Sequence, residues 1–334
     1  MLRYSLRQLE YFVATAEYSS VADAARHLNV SQPSVSKSIT KLEDQFSSQL
    51  FIRHHARGVS LTPAGERLLV DARGLLRYAN GLQQNVQESS DIIGGTLEIA
   101  CFVAVAPVFM PAILADFSEQ FPGVDIKLYE GNQEEMIAGL SNGQFELAIM
   151  YDSALPPDVV TTKLASFEPY VLLPTGHRLA KQKSVSLASL QDDKFILLDV
   201  PPSREYFMNM FRQNGLDPHV AFSSPSMEMV RGLVGRNRGY SLLVTRPYYD
   251  QTYDGQSVIP LPISDNVADG ILGIAQLSQI RPTRVMKVFL EFCLDWFAKH
   301  HLNTDSCKAA RIPDTALSGT VDTEALLPSS KPRK

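Results

Sequence analysis

Gln32, Ser34, Ser36, Lys37, Thr40 and Lys41 are hydrogen-bonding or cationic side chains crowded into one short stretch, with no carboxylate until Glu43. Among them Val35, Ile39, Leu42 and Phe46 recur at steps of three and four. The spacing predicts a helix with an apolar inner stripe and a polar outer face. Such a face can approach a polyanion closely. Its lysines neutralise phosphates, and its amides and hydroxyls reach base edges. The chemistry these residues offer is the reading of double-stranded DNA.

Several elements must position that face. Leu6, Leu9, Phe12, Val13 and Ala16 predict a first helix. Ser20 before Val21-Ala22-Asp23 resembles a capping box with Asp in place of Glu. Ala22, Ala25 and Leu28 suit the inner side of a short second helix, and the small Ala24 and Ala25 let a third helix pass close by. Asn29-Val30 reads as the turn, Ser31 as an N-cap, and Pro33 falls in the first helical turn, where no intrahelical donor is lost. This is helix-turn-helix grammar over residues 21–40, opening at Val21 and closing at Thr40. Residues 50–53 and 59–61 then read as a hairpin with Arg53, His54, His55 and Arg57 at its tip. A basic tip of this kind contacts phosphates or enters the minor groove. Solvated turn residues are the alternative for the two histidines.

The formal net charge of the 334-residue chain is −5, so bulk electrostatics do not make it a nucleic-acid binder. The basic patch is local: Arg3, Arg7, Arg26, Lys37, Lys41, Arg53 and Arg57 outnumber the nearby acids. A chain of this length holds two or three domains. Its 45% hydrophobic and 20% charged content is that of a globular protein. Cys101, Cys293 and Cys307 are scattered, without metal-ligand spacing or a disulfide framework. Residues 1–8 show no apolar signal core, and charges interrupt every long apolar run, so a cytoplasmic protein with no membrane partner is expected.

After Thr62 and Pro63, an N-cap and first helical position, Leu68, Ala72, Leu75, Ala79, Leu82 and Val86 form a heptad seam. Its simplest partner is the same helix of a second chain; packing onto its own chain is the alternative. Arg67, Asp71, Arg77, Asn80, Gln84 and Gln87 lie on the opposite face, and Gly94-Gly95 is expected to break the helix as a hinge. Beyond it, apolar runs and helical patterns alternate. Strands are expected over 96–103, 124–129 and 146–151, with helices over 108–121 and 134–140. A second such unit follows over 170–244, then a strand at 270–277 and a helix at 284–297. This βαβαβ logic predicts mostly parallel sheets. Residues 303–334 lose periodicity and read as a disordered tail.

The set Ala24-Ala25, Leu28, Ser31-Gln32-Pro33-Ser34-Val35-Ser36, Ile39, Leu42-Glu43, Leu50-Phe51-Ile52-Arg53 and Leu61-Thr62-Pro63-Ala64-Gly65 resembles the winged helix-turn-helix of LysR-type transcriptional regulators. Ser34 stands where that family often has Ala, and Phe46-Ser47 where it has Leu-Gly. The resemblance implies an α+β multidomain chain. It has a winged helix-turn-helix domain (1–62), a linker and dimerisation helix (63–93) and an effector-binding domain (94–302) of periplasmic-binding-protein-like type. That last domain divides into two α/β subdomains, 94–166 plus 270–302 and 167–269. Carried over, Gln32, Pro33, Ser34, Ser36, Lys37 and Thr40 are DNA-binding, with Arg53 on the wing. The implied partners are promoter DNA, a small-molecule effector, and further copies of the chain as a homodimer and homotetramer; no cofactor is implied. The effector is expected in a cleft between subdomains, near Cys101, Phe102, Val103, Tyr151, Ser203, Arg204, Ser226 and Met227. Ordinary packing or loop structure is the alternative at each, and for Arg204 an exposed loop position. Cys101-Phe102-Val103-Ala104 lacks the hydroxyl that many members carry there, which argues against a simple carboxylate and for a more apolar or aromatic effector.

Two other classes are weighed against a regulator. A redox sensor would use Cys101, yet a lone Cys is more often a small buried hydrophobe. An enzyme would need a phosphate loop, nucleophile elbow, metal cluster or catalytic triad spacing, and none appears.

Overall fold

The computed structural model describes residues 4–54, 58–86, 93–280 and 282–300, and its first helix is opened by Ser5. The Ser5 hydroxyl accepts from the Gln8 N–H, and the Gln8 amide reaches back to the Ser5 N–H, starting helix α1 (Leu6–Tyr18). Ser20 caps α2 (Val21–His27). Asn29 turns the chain in the left-handed region, at φ 53°, where Asn is tolerated better than most residues. Helix α3 (Gln32–Phe46) follows. Ser31 precedes it without a side-chain cap: its Oγ pairs with Ser34 Oγ at 2.7 Å instead. Strands β1 (Phe51–His54) and β2 (Gly58–Leu61) form the wing. Gly58 has φ +84°, and any Cβ there would collide with the Ser19 carbonyl, which accepts from the Val59 N–H at 2.9 Å. Glycine is therefore required where the wing docks on the end of α1.

Leu9, Phe12, Val35, Ile39, Leu42, Leu50 and Phe51 make one small core. Phe46, expected on that inner stripe, is 39% exposed and packs against the Tyr4 ring outside the core. Thr62 Oγ1 accepts from the Gly65 N–H at 3.0 Å and starts α4 (Pro63–Val86). This helix has two apolar sides. Leu69 and Ala72 are buried in the core of the DNA-binding module, with Leu68 and Leu76 partly buried against it. Leu75 is 39% exposed and Tyr78 60% exposed.

Gly94-Gly95 does not hinge the chain but begins β3 (Gly94–Phe102), paired with Gly123 and Val124. Then come α5 (Ala106–Gln120), β4 (Gly123–Gly131), α6 (Gln133–Ser141), β5 (Leu147–Tyr151) and β6 (Val159–Phe167). The chain crosses to a second unit: β7 (Tyr170–Pro174), β8 (Phe195–Leu198), α7 (Ser203–Gln213), β9 (Val220–Ser224), α8 (Met227–Gly235), β10 (Ser241–Leu243) and β11 (Val258–Pro262). It then returns as β12 (Gly270–Leu277) and α9 (Arg284–Lys299). The first sheet has the order β4-β3-β5-β12-β6, with β12 antiparallel to both neighbours. The second unit has an antiparallel sheet, β10-β7-β11, and a parallel pair, β8-β9. The expectation of mostly parallel sheets is thus corrected to mixed ones. A strand returning from the other unit enters the sheet at the end where its parallel neighbours finish, so it must run against them.

Arg77, expected on the face of the linker helix opposite the seam, is tied to the C-terminal region. Its guanidinium donates to the Gly143 carbonyl at 2.8 Å and lies 3.4 Å from the Glu146 carboxylate. One turn earlier, Arg73 bonds the Asn142 carbonyl at 2.8 Å and Glu17 of α1 at 3.0 Å. Glu146 is only 3% exposed, and burial pushes its carboxyl up, opposed by Arg77. Sheet and last helix also bring Cys101 and Cys293 into one core, both fully buried. Burial pushes both thiols up, and Glu130 and then Cys293 raise Cys101 further.

Arg77→Met leaves Glu146 buried without its cation, and should cost about 1–3 kcal/mol near neutral pH. A carboxyl whose folded pKa is raised favours the fold when protonated. The deficit should therefore shrink as pH falls through that raised value. Denaturant titrations across pH check this, and a deficit constant with pH would refute it. In a Cys307→Ser background, neither Cys101 nor Cys293 should take up iodoacetamide at mildly alkaline pH until the protein is denatured; native mass gain at either would show a reactive thiol.

Candidate functional site

Helix α3 buries Val35, Ile39 and Leu42 and turns Gln32, Pro33, Ser34, Lys37, Thr40 and Lys41 outward; Ser36 is half-buried. Thr40 Oγ1 bonds back to the Ser36 carbonyl at 3.1 Å. Among the described residues, no carboxylate pairs with Lys37, Lys41 or Arg53, and Arg53 is exposed on β1. His54 Nε2 bonds Ser60 Oγ at 2.8 Å across the hairpin; His55 and Arg57 lie outside the described residues. Nothing in the spacing assigns Glu43 a role. Its carboxylate accepts from the backbone N–H of Leu50 at 2.8 Å and of Phe51 at 3.2 Å. The acid thus fastens the wing to the helix and withdraws its charge from the polar face.

The second candidate is a cleft between the two α/β units, about 610 Å³ including its mouth. Of the residues expected there, Phe102, Tyr151, Ser203 and Met227 line it. The other four do not, and each for a physical reason. Cys101 precedes Phe102 on the pleat, so it points into the opposite, sealed core. Val103 is half-exposed beyond the strand end, its N–H bonded to the Gly131 carbonyl. Arg204 makes two 2.6 Å bonds to Asp199 and borders a separate outer groove. Ser226 Oγ accepts from the Met229 N–H, capping α8.

Other lining residues carry no signal in the sequence. Thr245, just after β10, accepts or donates at 2.8 Å with the Tyr151 hydroxyl and takes a bond from Tyr170 on its carbonyl at 3.1 Å. Tyr151 belongs to the first unit and Thr245 to the second, so this pair spans the cleft. The Tyr206 hydroxyl donates to the Ala268 carbonyl at 2.5 Å. Burial pushes the Tyr151, Tyr170 and Tyr206 phenols up, so they remain neutral hydrogen-bonding groups. Gly270 lies so near Val244 and the Tyr151 ring that a larger residue would intrude on both. Gln133, at the start of α6, donates its backbone N–H to the Pro201 carbonyl of the second unit, a further tie between units, and its side-chain amide to the Ser153 carbonyl within its own unit. No group of His, Cys, Asp and Glu among the described residues could hold a metal ion. No helix among them is long and apolar enough to cross a membrane.

Comparison with known proteins matches both regions to family models. Residues 6–66 match the bacterial regulatory helix-turn-helix protein, lysR family, and residues 91–298 match the LysR substrate binding domain. The transcriptional dual regulator GltC of Bacillus subtilis is 29% identical over 298 residues, covering 88% of this chain and 98% of that protein. The HTH-type transcriptional regulator CfxR of Cupriavidus necator is 31% identical, covering 72% of this chain and 75% of that protein. The crystal structure of HinK, a LysR family transcriptional regulator from Pseudomonas aeruginosa, is 44% identical with a TM-score of 0.61, covering 89% of this chain and 99% of that one. A DNA-binding module and an effector-binding domain of matching order span nearly the whole described chain, and it belongs to the LysR family of transcriptional regulators, which are not enzymes.

Proposed function

We propose that this regulator reads an operator through Gln32, Pro33, Ser34, Ser36, Lys37 and Thr40 in the major groove, with Arg53 on a phosphate. One observation carries this reading. The exposed face of α3 holds two lysines and several uncharged donors, while its own carboxylate, Glu43, is turned to the wing backbone. Residues 1–62 serve as the reading unit, 63–93 as the linker and 94–302 as the sensor. The exposed Leu75 side of α4 supports a homodimer through this helix, assembling further to a homotetramer. Two recognition helices then meet two half-sites. The protein works in the cytoplasm, beside the chromosome it reads.

A small molecule enclosed by the two units is the input, at Phe102, Tyr151, Ser203 and Met227. Its effect on DNA binding requires that it favour one arrangement of the units over another. Arg73 and Arg77 supply a route for that bias, since they join α4 to the sensing unit.

The reading face is tested by selecting an operator from random duplexes and repeating the measurement with variants. Gln32→Ala should weaken operator binding by ~1–3 kcal/mol and leave binding to unrelated DNA unchanged. Equal loss on both would show that Gln32 reads no base. Arg53→Ala should reduce the slope of log affinity against log salt by about 0.9 for each half-site contacted; an unaltered slope removes Arg53 from the backbone. Leu75→Asp should give monomers in sedimentation, and a persisting dimer would place the interface elsewhere. A thermal-shift screen of metabolites against the full chain tests the cleft, because a ligand of the folded state raises its stability by mass action.

A further inference from the structure

We propose that the cleft takes a small amine, an ammonium group on an apolar or aromatic body, and rejects the matching carboxylate. This rests on the reading of the cleft as the effector site.

The full charges lining the cleft are all of one sign. Its lining contains no Lys, Arg or His. The arginines of the neighbouring segments are committed elsewhere. Arg204 is paired with Asp199, Arg231 with Glu228 and the Tyr249 and Gln251 carbonyls, and Arg246 with Asp250. A carboxylate entering this space would lose its water without meeting a countercharge. Two acids do line it: Asp152, directly after β5, and Asp269, directly before β12. These strands are antiparallel neighbours, and the Asp152 N–H bonds the Ile271 carbonyl at 2.8 Å, so both carboxylates lie at one edge of the mouth. Asp152 accepts one bond, from Thr161 Oγ1 at 3.1 Å. Among the described residues, neither acid pairs with a cation.

Behind this acidic edge the walls are apolar and aromatic. Phe102 and Tyr151 meet edge to face, 5.8 Å between ring centres, alongside Leu198, Phe207, Met227 and Leu243. Ring faces near a cation add attraction of the same sign. Independently, Ser203 lines the cleft at only 8% exposure, and its hydroxyl has no partner among the described residues. That hydroxyl, facing the cleft, is open to bond a ligand atom. The first turn of α7, which begins at Ser203, has no side-chain cap and would favour an anion. That is a partial charge at one helix end, set against two full carboxylates. It suits an uncharged oxygen at the inner end of the ligand, with the ammonium at the mouth.

A matched series separates charge from shape. Tyramine, tyrosol and 3-(4-hydroxyphenyl)propionate share one ring and chain and differ in the end group. In calorimetric titrations of the full chain, tyramine should bind at least tenfold more tightly than tyrosol, and the acid more weakly still. Asp152→Asn with Asp269→Asn, both exposed positions, should abolish the advantage of tyramine while leaving tyrosol unchanged. Ser203→Ala should weaken both. The acid binding as tightly as the amine, the advantage surviving the double substitution, or no binding of the three at about 10 mM would each overturn the amine assignment. Gly270→Leu, or Ser203→Trp if the former does not fold, fills the cleft and keeps the two readings distinguishable. If a blocked variant loses binding of the acid, the cleft stands as the site and only the amine class falls. If tyramine binds a blocked variant as tightly as the native chain, the cleft itself is not the site.

Discussion

A chain that leaves one sheet to build another and then comes back must do so at the ends of its strands, and this constraint organises the sensing half of the molecule. The parallel strands β3, β4 and β5 finish where the chain crosses, and β12 begins there. Side chains at those ends, Phe102, Tyr151, Asp152 and Asp269, are therefore brought together from distant points in the sequence. The second unit presents Ser203, Met227 and Thr245 from the opposite side. The Tyr151–Thr245 bond crosses the gap and ties the relative position of the units to whatever the cleft contains. Displacing or strengthening one such bond is a local event with a consequence for both units.

The DNA-binding module solves a different problem, keeping an acidic protein's reading surface free of its own negative charge. With a net charge of −5 overall, attraction to DNA has to be local. The apolar stripe of α3 fixes which side faces out. Glu43 then spends its charge on two backbone donors of the wing, so the same contact orients the hairpin and clears the polar face. Charge-assisted bonds of this kind are stronger than neutral ones.

The two halves meet at α4. Most exposed ion pairs contribute little to stability, and Arg73–Glu17 is of that partly exposed sort. Arg77 differs because its partner Glu146 is buried, so the pair is costly to break one-sidedly. One face of α4 is committed to the reading module, its arginines to the sensing unit, and Leu75 to neither.

Local spacing alone determined much of this protein. Periodicity located α3 and its inner stripe, Ser20 and Thr62 marked helix starts that their side chains do cap, and the run from Leu50 to Leu61 announced the hairpin. These are interactions between residues close in the chain, and the chain order records them. Ser31 does stand at the N-cap of α3, but its hydroxyl bonds Ser34 instead of the helix backbone, and Gly94-Gly95 was misread as a hinge because residues without side chains also let a strand start close against a neighbouring backbone, here Gly123. The partners of Arg77, the inward turn of Glu43, the burial of Cys101 against Cys293 and the place of Thr245 in the cleft were decided by tertiary structure only. Each depends on which strand lies beside which, and on the one-residue pleat that sends Cys101 into the core and Phe102 into the cleft. Such pairings join segments far apart in sequence, and no spacing within either segment encodes the other.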